Sequence, residues 1–438
     1  MPPFDIGIIA LLVMVAAVLA GLFVPVALMI CSFVGVWAIK GSPDLAVKLM
    51  AQAANDAIGS YFFGIVPLFV MMGLIVAETG MGRDAYDVAN IFFRRIRGGL
   101  GVGTVAANAV FAAITGISIA SAAVFTKIAV PEMIRHGYSP RFATGVVAGS
   151  SVLGMLIPPS LLLILYAIIA EQSVGDMFLA GVIPGIVLAL FFGLGILLVA
   201  YLRPSALGNI HGDDREDVPT LSFAEIATRG APIFLLIVVV LGGIYTGFFT
   251  PIEAGAIGSI AALALTALRG GLGLKRFGQI LVETGLITAT ICLLIVAAHM
   301  YSRMLAFSGV PAGIASLTAQ ADLGYWGLML IYVAILLVMG MILDSSSILL
   351  IMVPIMLPLL GPSGLDPVWF GIVTVLTVEI GLLSPPFGVS VYVIKATLND
   401  PSITLGDIFR GALPFAAIML VVVLLLLCFP VMATFFTT

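Results

Sequence analysis

The chain has 438 residues, of which 62% are hydrophobic and only 9% are charged, and its mean hydropathy is +1.26. Soluble domains carry roughly 25% charged residues, so a chain this apolar needs lipid as its solvent. The formal net charge of −4, without any basic block, argues against nucleic-acid binding. The composition therefore predicts a protein that crosses the bilayer many times, and it excludes soluble enzymes and secreted disulfide scaffolds.

Most of the chain consists of continuous apolar runs of about 20 residues, the length of a membrane-spanning helix. We predict an all-α protein with about ten crossings. Two longer runs, 102–133 and 327–360, have small, polar centres and a proline exit at Pro131 and Pro354. Non-helical backbone at membrane depth is tolerated only where it is buried or lines a cavity. Both runs are therefore predicted to be re-entrant helical hairpins.

The basic residues give the predicted orientation. With the N-terminus outside, fourteen of the 18 lysines and arginines fall on one side, three fall on the other, and Lys127 lies in the first hairpin. An excess of this kind marks the cytoplasmic side. The sequence thus predicts a multi-pass protein of a bacterial inner membrane with both termini in the periplasm.

The two halves of the sequence match each other. Leu156–Ser160 corresponds to Leu383–Phe387, Gly175–Phe178 to Gly406–Phe409 and Val130–Pro131 to Val353–Pro354, at offsets of 223–231 residues. We predict repeats over residues 1–202 and 231–438, joined by a cytoplasmic linker at 203–230. Since each half has five crossings, an odd number, the second repeat is expected to be inverted.

Paired prolines lie within one predicted span of each half, at Pro158–Pro159 and Pro385–Pro386. Proline breaks the helical hydrogen-bond ladder, so we predict interrupted helices at 144–170 and 369–394. Inverted repeats with interrupted helices are typical of secondary transporters, whose half-helix ends and freed carbonyls bind anions and small cations.

Several segments resemble one family, the large membrane subunits of tripartite ATP-independent periplasmic (TRAP) transporters. The segments are 149–160, 175–185, 243–254, 340–354 and 379–388. Ser384 stands where family members usually have threonine, and Ser390 where they usually have asparagine.

The resemblance implies an elevator-type transporter, in which a core moves against a scaffold that includes arm helices at about 45–59 and 274–283. It implies a sodium gradient as the driving force, Na⁺ as the coupling ion and no organic cofactor. It further implies two partners, a small four-helix membrane subunit and a periplasmic binding protein. The binding protein would deliver an organic anion, usually a carboxylate such as a dicarboxylate or sialic acid.

The match also implies the site residues. The first sodium site would comprise Ser118, Ser121, Gly149, Ser150 and Gly154; the second would comprise Gly340, Asp344, Ser345, Thr377, Gly381 and Ser384. Substrate would lie near Ser160 and Ser346. Hydroxyls and carbonyls suit a hard cation, but small residues also pack membrane helices closely, and that alternative stays open here.

Two carboxylates lie at predicted membrane depth, where an ionisable group is costly and suggests a function. Asp344 is expected to bind the coupling ion or to cap a helix at the hairpin tip. Glu379 is expected either to act with the ion or to make a structural hydrogen bond to the broken backbone.

Two other kinds of protein were weighed. A self-sufficient sodium/carboxylate symporter of similar fold remains the alternative to a TRAP subunit. An intramembrane enzyme or channel is disfavoured because it would leave the two hairpins and the inverted repeat unexplained, and the absence of a His-Glu-x-x-His zinc pattern from the sequence argues against a metalloprotease.

Overall fold

The computed structural model describes residues 1–59, 61–93, 95–208, 222–321, 324–361, 363–386 and 388–437, and no strand occurs in these ranges. The predicted all-α class is thereby confirmed. By length and composition, five of the described helices are apolar enough to cross a membrane, or up to seven if two bent pairs each count as one span. Seven shorter apolar helices accompany them, so the number of about ten crossings stays a prediction.

The first half opens with two apolar helices and a shorter amphipathic one, and then passes through two bent helix pairs. Its helices are α1 (Pro3–Leu19), α2 (Val24–Lys40), α3 (Pro43–Ile58), α4 (Ile65–Glu78), α5 (Met81–Phe93), α6 (Gly99–Thr115), α7 (Ser118–Arg135), α8 (Pro140–Ser151), α9 (Leu153–Leu156), α10 (Leu161–Ile169), α11 (Val174–Leu202) and α12 (Pro204–Leu207). The bend between α4 and α5 is 66°, and the bend between α8–α9 and α10 is 41°.

The second half follows a similar order, and its longest described helix, α16, has 35 residues. Its helices are α13 (Phe223–Ile237), α14 (Gly243–Tyr245), α15 (Pro251–Leu268), α16 (Leu274–Ser308), α17 (Val310–Gln320), α18 (Gly324–Gly340), α19 (Ser345–Leu360), α20 (Pro367–Gly381), α21 (Val389–Leu398), α22 (Leu405–Cys428) and α23 (Val431–Thr434). A π-helical segment, Val238–Gly242, joins α13 to α14.

Short polar side chains begin many of these helices. Ser42, Ser139, Ser173, Thr250 and Thr404 each accept a hydrogen bond from the backbone amide three residues further on. Such caps satisfy amides that the first helical turn leaves without partners. They fix where each apolar run starts, and with it which residues lie at the surface.

The helices pack into two groups. The scaffold group comprises α1–α4 and α13–α16, in which α2 packs on α16 and α4 packs on α15. The core group comprises α6–α11 and α18–α22, in which α8 packs on α22 and α18 on α20. The groups meet where α4 contacts α6, α7 and α10 and where α16 contacts α10 and α19. They also meet where α13 contacts α6 and α14 contacts α11. The chain passes from scaffold to core through α5 and again through α17.

The element bounds differ most from the sequence expectation in two places. Residues 274–283, predicted as a separate arm helix, are the first part of α16, because no proline or capping residue interrupts the run that continues to Ser308. The predicted linker, 203–230, ends earlier than expected, because Ser222 and Glu225 form a capping box that starts α13 at Phe223. Residues 209–221 of that linker lie outside the described residues.

Candidate functional site

The first predicted hairpin, α6–α7, meets the broken helix α8–α10 at its tip. The amide of Leu161 donates a 3.1 Å hydrogen bond to the carbonyl of Gly116 between the two hairpin helices. Ser160 caps α10 by accepting from the amide of Leu163, and its own hydroxyl donates to the carbonyl of Met155 across the break. The hydroxyl predicted to contact substrate is therefore fully buried and already engaged within the broken helix.

Behind this tip lies a group of buried polar side chains. The Nδ2 of Asn108 donates to the hydroxyl of Ser150 over 2.6 Å, and that hydroxyl donates to the carbonyl of Val146. The Oδ1 of Asn108 and the hydroxyls of Ser118 and Ser121 are buried without a hydrogen-bond partner among the described residues. An unpaired buried polar atom costs free energy, so this group fits a polar ligand or an ion.

The two glycines predicted for this site have different surroundings. A Cβ on Gly154 would lie 3.2 Å from the carbonyl oxygen of Ile117 and from the amide nitrogen of Ser118, so glycine lets the two backbones approach. At Gly149 the Cβ direction meets the ring of Phe415 on α22 instead. Gly154 therefore lies at the junction of hairpin and broken helix, whereas Gly149 brings α8 close to α22.

The second junction repeats this arrangement with different chemistry. Gly340, at the end of α18, lies against Gly381, at the end of α20; a Cβ on Gly340 would lie 2.9 Å from the Cα of Gly381. Asp344 is exposed and caps α19 by accepting from the amide of Ser347 at 3.1 Å, and the Ser347 hydroxyl bonds to the same carboxylate. The capping role expected for Asp344 is observed, and a role in ion binding stays a prediction.

Glu379 is completely buried in α20. Its Oε1 accepts a 2.8 Å hydrogen bond from the hydroxyl of Ser345, the first residue of α19, whereas its Oε2 has no partner in the described part of the chain. The partner of this carboxylate is thus a hydroxyl at the hairpin tip rather than the broken backbone.

The remaining predicted hydroxyls bond to α20. Thr377 donates to the carbonyl of Val373 within this helix at 2.7 Å, and Ser384, three residues past its end, donates to that of Ile380 at 3.0 Å. Ser346 is half-buried beside Ser345 at the start of α19.

The two junctions correspond at an offset of 227 residues. Ser118 and Ser345 both begin the second helix of a hairpin and are buried. Ser150 and Thr377 both donate to the carbonyl four residues earlier. The prolines Pro158–Pro159 and Pro385–Pro386 lie in the two breaks, and both peptide bonds between them are cis. The chemistry differs because only the second junction contains a buried carboxylate, with Val152 at the position that corresponds to Glu379.

Two residues of these junctions were not predicted as site residues. Asn108 lies in the middle of α6, and Ser390, whose hydroxyl is buried without a partner among the described residues, lies in the first turn of α21. An asparagine inside an apolar hairpin run is a detectable signal, since buried amides need partners.

A small cavity of about 10 Å³ lies where the first hairpin tip faces the scaffold group. Phe69 and Val70 of α4 cover it on one side, and Gly116 and Ser160 line the other. This volume is close to the minimum for one water molecule. The cavity is therefore too small for an organic molecule.

Known proteins are similar to this chain over most of its length. Residues 10–432 match the family model described as tripartite ATP-independent periplasmic transporter, DctM component. The chain is 34% identical over 398 residues to the C4-dicarboxylate TRAP transporter large permease protein DctM of Pseudomonas aeruginosa, covering 89% of each. It is 30% identical over 388 residues to the sialic acid TRAP transporter large permease protein SiaM of Vibrio cholerae, covering 88% of each.

A more distant likeness concerns the fold alone. The solved structure of the YdaH transporter from Alcanivorax borkumensis superimposes with a TM-score of 0.64 at 13% identity, covering 88% of this chain and 89% of that one. The similarity extends over both halves of the present chain.

Proposed function

This chain belongs to the DctM-component family of TRAP transporters, and from that premise we propose that it is the large membrane subunit of a sodium-coupled importer of an organic anion. It is a transporter component rather than an enzyme. We propose three things: sodium as the coupling ion, an elevator movement as the transport route, and an organic anion as the substrate.

The observation that carries the proposal is the set of unpaired oxygens behind the first hairpin tip. Oδ1 of Asn108 and the hydroxyls of Ser118 and Ser121 are buried without partners among the described residues, and Ser150 lies within hydrogen-bond distance of the same amide. Neutral oxygens suit a hard cation. A monovalent ion fits better than a divalent one, because no carboxylate belongs to this group and the double charge of a divalent ion would be poorly compensated.

The anionic cargo is supported by helix ends. The N-termini of α10 and α19 lie at the two junctions, beside Ser160 and Ser345. The positive end of a helix dipole stabilises an anion such as a carboxylate. The two relatives described above are named for different substrates, a C4-dicarboxylate and sialic acid. We therefore propose an organic carboxylate as the class.

We propose that the route is an elevator movement of the core group against the scaffold group. Sodium first orders both hairpin tips, substrate then enters the core, and the core moves until the substrate opens to the cytoplasm. The denser packing within each of the two groups than between them supports this assignment.

The proposed assembly contains a small four-helix membrane subunit and a periplasmic binding protein, in a bacterial inner membrane with both termini of this chain in the periplasm. The alternative, a self-sufficient sodium/carboxylate symporter, predicts uptake by this chain alone in liposomes. The proposed assembly predicts uptake only when both partners are added.

Thermal unfolding of the chain with its small membrane partner tests sodium binding, in sodium against choline at equal ionic strength. A ligand that binds only the folded state raises its stability. We expect a sodium-specific rise that Ser150→Leu abolishes and that the control Ser302→Leu, at an exposed position of α16, retains. Asn108→Ala provides a second, less bulky variant if Ser150→Leu fails to fold. An equal rise in both site variants would contradict the first ion site.

A further inference from the structure

A large polar cavity lies outside both hairpin junctions. Its volume is about 810 Å³, and it is bounded by α5, by the end of α7, and by single residues at the start of α6, in the middle of α13 and just after α15. In the predicted orientation these ends face the cytoplasm. The volume falls in the range of roughly 300–1,000 Å³ typical of small-molecule pockets.

The charges that line this cavity are largely paired. Arg229 bonds to Asp87, Arg269 to Asp84 and Arg135 to Glu132. The fourth lining arginine, Arg83, forms no ion pair among the described residues and is exposed. Four arginines against three carboxylates leave the wall with a net charge of +1.

Two neutral polar groups extend this wall. Tyr86 and Asn90 also line the cavity and are almost fully buried, and the phenolic oxygen of Tyr86 and the Oδ1 of Asn90 both lack a hydrogen-bond partner among the described residues. A guanidinium binds carboxylate or phosphate through two parallel hydrogen bonds, and a phenol on the same wall can also donate. The guanidinium of Arg83 carries a full positive charge and the amide oxygen of Asn90 is neutral, so the wall favours an anion over a cation or an apolar ligand.

We propose that this cavity is a cytoplasmic binding site for a small organic anion, held by the guanidinium of Arg83 and separate from the two hairpin junctions. The site lies on α5, the segment that connects the scaffold helix α4 to the core helix α6. An anion bound there restrains that connection, so the site senses the anion concentration on the side to which the proposed importer delivers. That role rests on the proposed function, whereas the binding itself does not.

Cysteine labelling of the purified full chain in detergent tests the binding. Ile128 lines the cavity without charge, so Ile128→Cys is placed in a background whose three native cysteines are replaced by alanine. Negatively and positively charged methanethiosulfonates of similar size are compared. We expect the negative reagent to react about three-fold faster or more, because a positive cleft concentrates anions, and citrate to slow the reaction.

The matched variants locate the effect. Arg83→Gln should bring the two labelling rates together and abolish protection by citrate. Arg97→Gln removes an exposed arginine that does not line the cavity and should change neither. A cysteine at the exposed Ala206 should show no protection. If Ile128→Cys fails to fold, Leu100→Cys on the same wall replaces it.

Three outcomes would overturn the proposal. The first is equal labelling rates for both reagents in the protein that retains Arg83. The others are citrate protection that survives Arg83→Gln, and protection by anionic lipid but not by citrate. The last would assign the cavity to a lipid headgroup. Because labelling requires no transport, these results are independent of sodium coupling. A negative result in the sodium test would not contradict the anion site, and a negative result in the labelling test would not contradict the proposed importer.

Discussion

The amide nitrogen of the Asn108 side chain lies 2.6 Å from the hydroxyl of Ser150 and donates a hydrogen bond to it. This contact joins the middle of α6, the first helix of the first hairpin, to α8, the first part of the broken helix, 42 residues further along the chain. It also orients the amide so that Oδ1 is the atom left without a partner. One side chain thus positions a proposed ion ligand and supplies another.

Replacing Asn108 by alanine should therefore weaken sodium binding more than it weakens folding. The variant loses one ligand oxygen and the hydrogen bond that positions Ser150, and we expect an apparent sodium affinity lower by about ten-fold, which corresponds to about 1.4 kcal/mol. Sodium titrations of the unfolding temperature measure this change. Asn55→Ala, at an exposed position of α3, is the control and should titrate like the wild type. An unchanged titration in Asn108→Ala would remove this residue from the site.

Asp344 allows capping and ion binding to be separated. Asparagine caps helices as well as aspartate does, whereas alanine costs about 1 kcal/mol at such a position. We expect Asp344→Asn to unfold at the wild-type temperature but to lose sodium-dependent uptake, and Asp344→Ala to lose uptake while expression remains intact. Uptake assays in liposomes with both partners measure this. Normal uptake in the asparagine variant would contradict a role of Asp344 in ion binding. Its function would then be only to cap α19 through the hydrogen bond from the amide of Ser347.

The sequence predicted the elements of the site better than their contacts. Polar centres inside long apolar runs located both hairpins, and the paired prolines located both helix breaks, because each signal is local in the chain. The partner of a side chain is not local: Gly149 meets Phe415 on α22, and Glu379 of α20 meets Ser345 of α19. Such contacts depend on which helix faces which. They explain why Glu379 and Ser345 were predicted in different roles.

Two ion pairs connect each half of the scaffold group to the other. Arg303, near the end of α16, bonds to Asp56 of α3, and Arg276, near the start of α16, bonds through two nitrogens to Glu78 of α4. The first pair joins the amphipathic helix α3 of the first half to the end of α16. The second pair joins the start of α16 to the apolar helix α4 of the first half. By the predicted orientation one pair lies at each membrane surface.

A double-mutant cycle of Arg276→Ala and Glu78→Ala should show a small favourable coupling, because the contact is bidentate although it is exposed. The coupling should decrease in high salt. Unfolding measurements on the four proteins give its value. The mismatched cycle of Arg276→Ala and Asp56→Ala joins residues from different pairs and should show no coupling. Equal couplings in both cycles would mean that the charges act only through the overall field.

Gly73 of α4 tests whether the core moves against the scaffold. A Cβ at this position would lie 2.6 Å from the carbonyl oxygen of Thr115 at the first hairpin tip, so alanine disfavours the arrangement in which the tip rests on α4. If the core is an elevator, this contact exists in only part of the cycle, and Gly73→Ala should shift the population of conformations and slow uptake by about ten-fold. Spin labels at Ile119 on α7 and Ile260 on α15, both exposed, measure the distance between core and scaffold. Gly285→Ala on α16, where a Cβ would meet nothing within 4 Å, is the control and should leave distances and uptake unchanged. Because a fixed contact would make Gly73→Ala destabilise the fold without redistributing those distances, a lower unfolding temperature with an unchanged distance distribution would contradict the elevator.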